Sequence, residues 1–265
     1  MRPLRFRARH AAGALLGCAV LAPAAFAQDT AHGDLGVGVV SRPEYIGSDK
    51  QRTTLVPVVR VELPTRYAYL GNRYGGNPLQ LGFTPLNTGK WIAGVTVSYQ
   101  NIAPRKVSDD DYLRGLQDID RSVLGGVLLG YRFRPGGMVT LRSDSDLSGH
   151  GQGTTITLAA QQVFPLNEHV AIVAGPRVVW GNRQHNATYF GVDMAKAPQT
   201  TLPGYHAPAG FQEYSLNVGV RYATDGDWVL GGGISAGKLM ANAKDSPVVQ
   251  EHSQVTASLY AGWHF

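Results

Sequence analysis

The residues that could do chemistry are few, and their spacing decides little alone. Glu251-His252-Ser253 sets a carboxylate, an imidazole and a hydroxyl side by side, the groups an acyl hydrolase would use. The triplet falls in or beside a long loop, with no strand pattern to aim it at lipid. His150, His169, His185 and His206 are scattered over loops and turns without metal-ligand spacing, so surface histidine is the simpler reading. Asp109-Asp110-Asp111, and Asp144 with Asp146, offer oxygen ligands to a divalent cation but lack EF-hand spacing, and a solvated acidic loop accounts for them. An aspartyl-type protease would need acids and a histidine facing one another at a rim, which spacing does not arrange. No catalytic residue, metal ligand or cofactor is expected.

The elements that would position these residues begin at the amino terminus. Arg2, Arg5, Arg7 and Arg9 form a basic block, an apolar stretch runs from Ala11 to about Ala25, and Ala25-Phe26-Ala27 precedes Gln28-Asp29. Basic region, short apolar core and small-x-small site predict a secretory signal peptide over 1–27, cleaved after Ala27, with 28–265 as the mature domain. The apolar run is shorter than the roughly 20 residues a spanning helix needs. Cys18, the one cysteine, lies inside it. Leu15-Leu16-Gly17-Cys18 admits a lipoprotein alternative, although the apolar run continues past the cysteine. A mature chain without thiols has neither disulfides nor thiolate chemistry. Setting aside the four signal arginines leaves 20 basic against 19 acidic residues, which gives no footing for a nucleic-acid-binding domain.

The rest of the chain alternates. Val123, Val127, Leu129, Tyr131 and Phe133 share one register, opposed by Gly126, Gly130 and Arg132; Tyr214, Leu216, Val218, Val220 and Tyr222 share another, opposed by Ser215, Asn217 and Arg221. Segments near 153–164 and 169–181 repeat the pattern. Period-two alternation predicts strands. The polar register is glycine, serine, threonine and single arginines rather than a lysine-rich solvated surface. Lipid outside and a polar lumen inside explain that better than a soluble sandwich. Short turns at 134–137, 165–168 and 224–227 alternate with long connections near 100–120, 181–209 and 240–253. The expectation is an all-β, closed antiparallel transmembrane barrel of about twelve strands, with ten as the alternative because those near 66–71 and 77–84 are weak. Short turns would face the periplasm and long loops the exterior.

In this topology Trp91, Phe133, Phe164, Tyr222, Trp228, Trp263 and Phe265 fall near the periplasmic rim, and Tyr99, Trp180 and Tyr214 near the outer rim. Amphipathic rings favour both interfaces. The chain stops on an alternating strand whose Trp263 and Phe265 resemble the signal read by the barrel assembly machinery. Pro57 and Pro176 each remove a ladder donor, so bulges are expected there. Arg60, Arg132, Arg142, Arg177 and Arg221 point into the lumen, with Glu62 and Asp144 as the acids assigned to it. They are either a pore lining of slight anion preference or a pairing network filling a narrow or occluded barrel.

Several segments together resemble the MltA-interacting protein (MipA)/OmpV family of outer-membrane proteins. They are Pro43-Glu44-Tyr45-Ile46-Gly47-Ser48-Asp49, Tyr112-Leu113-Arg114-Gly115-Leu116-Gln117-Asp118-Ile119-Asp120, Gly175-Pro176-Arg177, Tyr189-Phe190-Gly191-Val192, Leu202-Pro203-Gly204-Tyr205 and Asp245-Ser246-Pro247. Gln117 stands where the family pattern has glycine. The resemblance implies residence in the outer membrane of a Gram-negative bacterium, in contact with its lipid. It also implies a non-catalytic scaffold joining a lytic transglycosylase to a murein synthase. A porin-like channel is the alternative.

Overall fold

The computed structural model describes residues 30–64, 67–101 and 104–265. The expected signal peptide, its expected cleavage site and Cys18 lie outside the described residues. Twelve strands follow one another: β1 (His32–Pro43), β2 (Gln51–Glu62), β3 (Ala68–Gly71), β4 (Leu79–Asn87), β5 (Trp91–Tyr99), β6 (Val123–Arg134), β7 (Gly137–Asp146), β8 (Thr154–Pro165), β9 (Val170–Gly181), β10 (Gly210–Ala223), β11 (Trp228–Leu239) and β12 (Ser253–His264). Each pairs antiparallel with its neighbours in sequence, and β1 pairs with β12 to close the barrel. The two segments with the weakest alternation are indeed the shortest part of the wall, yet both are strands.

Alternation sorts the side chains. Val37 is 66% exposed, Leu55 75%, Val127 61% and Leu259 67%, all on the outer face. In water such a belt would be a severe liability; in hydrocarbon it is the correct solvent, and the closed ladder pairs the backbone around the wall except along the outer part of β2 on its β3 flank.

The expected bulges at Pro57 and Pro176 are absent, because both prolines sit where no ladder donor is required. Pro57 keeps step with Val37 of β1, and β3 reaches only Arg60, Val61 and Glu62 of β2, so Pro57 has no second partner strand. At Pro176 pairing to β8 lapses between Ala159↔Arg177 and Gln162↔Ala174 without any change of register. Gly175 beside it permits close approach, since a Cβ there would stand 1.8 Å from the Ala160 carbonyl oxygen. Register instead shifts between Phe83 and Leu86, across Pro85, between Arg132 and Arg134 at a turn, and between Phe211 and Glu213.

The outer connections (44–50, 72–78, 100–101 with 104–122, 147–153, 182–209 and 240–252) are structured. The fifth contains helix α1 (Arg183–Phe190) and the sixth a short helix α2 (Ala241–Lys244). Asn182 caps α1 by accepting from the His185 N–H at 2.8 Å, and also accepts from the Thr154 N–H at 3.1 Å, which fixes the helix to the top of β8.

Candidate functional site

The outer loops form a cap with an apolar core of its own. Tyr45, Leu113, Val192, Leu202 and Val248, drawn from four connections, make one buried cluster; Ile119, Tyr189, Phe190, Ala207 and Ala243 make a second. Burying these side chains gives the cap a reason to fold that independent loops lack. Polar groups lock it. Arg105 is buried and donates to the carbonyls of Tyr189 at 3.2 Å and Gln117 at 3.1 Å, joining the third connection to α1. Burial pulls its guanidinium down to about 10.

Asp110 is a second hub, accepting from Lys50 Nζ at 2.8 Å, Gln250 Nε2 at 2.9 Å and the Tyr112 N–H at 3.1 Å. Burial pushes its carboxyl up, but these donors outweigh burial and hold it below the usual carboxylate value. The acidic run is therefore not one solvated patch: Asp109 pairs with Arg52 at 2.7 Å, Asp110 with Lys50, and only Asp111, beside Arg114, lies open. Among the described residues no three His, Cys, Asp or Glu side chains converge as metal ligands.

Beneath the cap lies a cavity of about 690 Å³ whose lining includes Arg142, Asp144, Gln152, Arg177, Gln212 and Asn217. Its charges occur in pairs. Arg142 Nε stands 2.6 Å from Asp144 Oδ2, and Arg177 Nη1 lies 3.5 Å from Glu213 Oε1. Nearer the short turns Asp34 receives His264 Nδ1 at 2.7 Å, Arg221 Nη2 at 3.3 Å and Arg60 Nη1 at 3.8 Å. Glu62 meets Arg73 at 2.8 Å, and Arg132 donates to the Thr88 carbonyl at 2.6 Å and to Asn87 Oδ1, tying down a turn. Asp34 and Glu213 are lumen acids that sequence reasoning left unassigned. The signal was present, because Asp34 alternates with exposed Leu35 and Val37, and Glu213 shares parity with Ser215 and Asn217. Gln212 comes inward only through the bulge, which periodicity does not reveal.

The candidate histidines are dispersed. His150 Nδ1 donates to the Arg121 carbonyl at 2.9 Å, and His169 Nδ1 to the Ala223 carbonyl at 3.0 Å. His185 is buried, donates from Nδ1 to the Gln152 carbonyl at 2.7 Å and stacks on Tyr189 with centroids 4.2 Å apart. Burial lowers its imidazole to about 4, so it is neutral. At the hydrolase-like triplet Glu251 Oε1 accepts from the Ser253 N–H at 2.7 Å, and the Ser253 hydroxyl also bonds this carboxylate; the backbone bond first, against burial, holds Glu251 below its usual value.

The aromatic side chains gather at strand ends. Trp91, Phe133, Phe164, Tyr222, Trp228, Trp263 and Phe265 are exposed at the short-turn end, where Trp228 and Trp263 meet edge to face with centroids 5.5 Å apart. Tyr99 and Tyr214 are exposed toward the outer end, and Trp180 there is half-buried.

A family model described as MltA-interacting protein MipA matches residues 35–265, essentially the whole barrel. The chain belongs to the MltA-interacting protein family. Membership, with the apolar belt, places this MipA-family barrel in the outer membrane of a Gram-negative bacterium. A search of curated proteins finds no match. Among solved structures the family member is similar to the NanC porin (9% identity, 86% of this chain and 98% of that one, TM-score 0.38). It is also similar to the outer membrane channel DcaP of Acinetobacter baumannii (7% identity, 89% and 96%, TM-score 0.39). The Pseudomonas putida toluene transporter TodX overlaps with 11% identity, 91% of each chain and a TM-score of 0.38. None of these overlaps is close enough to carry an argument about function.

Proposed function

We propose that this barrel is a non-catalytic outer-membrane scaffold that holds an MltA-type lytic transglycosylase, and with it a murein synthase, against the inner face of the membrane. The observation that carries the choice between scaffold and porin is the cap: Arg105, Asp110 and two apolar clusters knit the loops at the outer mouth into one packed unit. A general porin needs that mouth open, and a scaffold does not. The family's name supplies the partner.

The periplasmic face offers the turns at 134–137, 165–169 and 224–227. Two of them are fastened together, since His169 binds the Ala223 carbonyl and the Ala223 N–H donates back to the His169 carbonyl at 2.8 Å. A fixed surface loses little entropy on docking, which suits a small interface assisted by confinement to the membrane. The barrel assembly machinery, reading Trp263 and Phe265, would act earlier in the protein's life. The test is retention of transglycosylase and synthase activity from solubilised envelope on immobilised, folded barrel. Retention of neither, against a matched barrel, removes the scaffold reading.

A channel is the second reading, favoured by the lumen cavity. Because its arginines face carboxylates, any current would be small and weakly selective.

A further inference from the structure

The barrel wall is not complete on its outer half. β2 pairs with β1 along its whole length, but on its other flank β3 reaches only Arg60, Val61 and Glu62. β4 starts at Leu79 and pairs with β3 through Leu81, Gly82 and Phe83. Among the described residues Gln51 to Val59 therefore have no ladder neighbour on that flank, at the level of Leu55, which is 75% exposed to the membrane. Unpaired strand edges are not tolerated against hydrocarbon alone. Pro57, in the middle of this run, has no N–H to satisfy, which is how edges are blunted.

The opening has a frame. Below it the 72–78 connection turns inward: Tyr74 packs edge to face on Tyr69 with centroids 5.4 Å apart, and the Gly75 carbonyl accepts from Arg142 Nη1 at 2.7 Å. Above it the third connection crosses to the top of β2 through Asp109–Arg52 and Asp110–Lys50. Tyr74, Gly75, Gly76, Asn77 and Gln100 line the lumen cavity from this side, and a Cβ at Gly75 would meet nothing within 4 Å. The 72–78 connection thus faces the cavity, while none of Gln51 to Val59 lines it, so this connection is what a head group entering from the gap must pass.

We infer that this gap is a lateral window through which an amphiphile of the outer leaflet, one acyl chain bearing a hydroxylated, sugar-like head, places its head in the lumen cavity and leaves its chain in the membrane. The polarity gradient selects that class. Inside are amides and hydroxyls (Asn77, Thr155, Thr157, Gln212, Asn217) whose neighbouring charges are already paired, a lining suited to sugar hydroxyls. Outside is the apolar belt. Head hydroxyls and accompanying water also supply partners for the bare β2 edge. The inference concerns the outer leaflet and goes beyond the scaffold reading.

The test uses the full barrel in phosphatidylcholine nanodiscs with two photoreactive dodecyl glucosides, one carrying its diazirine beside the head and one at the chain terminus. The head-proximal probe should label Tyr74 to Asn77 and Gln100, and the terminal probe Leu55 and its neighbours. Thr157→Trp, or Asn217→Phe if the first does not fold, should cut lumen labelling at least fivefold while leaving belt labelling unchanged. Labelling spread evenly over the belt with none at Tyr74 to Asn77 would overturn the inference. So would equal lumen labelling by a photoreactive glucose without a chain. Efficient disulfide formation between two copies of Val56→Cys would overturn it too, by showing that a second copy pairs with the edge.

Discussion

His264 Nδ1 lies 2.7 Å from Asp34 Oδ1, and the two residues are register partners where the last strand closes on the first. The same carboxylate faces Arg221 and Arg60, so one buried acid balances three basic side chains from β2, β10 and β12. The Phe265 and Gly33 backbones exchange two hydrogen bonds of 3.0 Å beside it. The seam is therefore fastened electrostatically as well as by its ladder.

Asp34→Ala leaves Arg221 and Arg60 without the carboxylate they face. Because Arg221 and Arg60 keep a third to a half of their surface in solvent, the loss costs about 1 kcal/mol, so the folded form should convert to the slow-migrating unfolded form at a somewhat lower temperature in heat-modifiability gels. Asp34→Asn, which keeps hydrogen bonding but not charge, should fall between the two.

Arg105→Met removes the donor from the Tyr189 and Gln117 carbonyls. Orphaned buried acceptors cost roughly 1–3 kcal/mol each, and the loss falls on the cap, since the barrel ladder does not use this side chain. Externally added protease should then cut within 182–209 while the barrel stays folded. A barrel that unfolds together with its loops would show that the two are one cooperative unit.

The cap should loosen with acid. His185 is held at about 4 in the folded protein, against an ordinary value of 6.5. Between those values the unfolded loop binds a proton that the folded cap refuses, so stability is full above pH 6.5 and declines as pH falls toward 4. The decline amounts to about 3 kcal/mol by linkage. Asp110, held low by its donors, adds a loss only at still lower pH. Hydrogen exchange of α1 amides measured at pH 7 and pH 5 checks this, and His185→Gln should flatten the difference.

The paired lumen makes a prediction about current. Wild-type protein should conduct poorly in planar bilayers, and shortening the fifth connection between 183 and 208 should raise conductance with little ion preference. Adding Glu213→Gln frees Arg177 from its partner and should shift reversal potentials toward anions.

Sequence made the barrel legible because one face must meet lipid along nearly every strand: the period-two register of Leu216, Val218 and Val220 leaves no other reading. The lumen arginines are read from the same parity. Their partners were harder, since Asp34 meets Arg221 across 187 positions of chain. The cap was out of reach because loop packing carries no period. Leu113, Val192 and Val248 look like isolated apolar residues until the fold brings them together. The window was hidden too, since it arises from how far β3 extends, and Pro57 marks an edge rather than the expected bulge.

The most direct test of the scaffold is binding of a purified MltA-type lytic transglycosylase to the folded barrel in nanodiscs, compared with a barrel whose turns at 134–137, 165–169 and 224–227 are replaced by those of an unrelated outer-membrane barrel. The account predicts saturable binding to the native barrel and at least a tenfold loss on turn replacement. No binding to the native barrel, or binding indifferent to the turns, would contradict it.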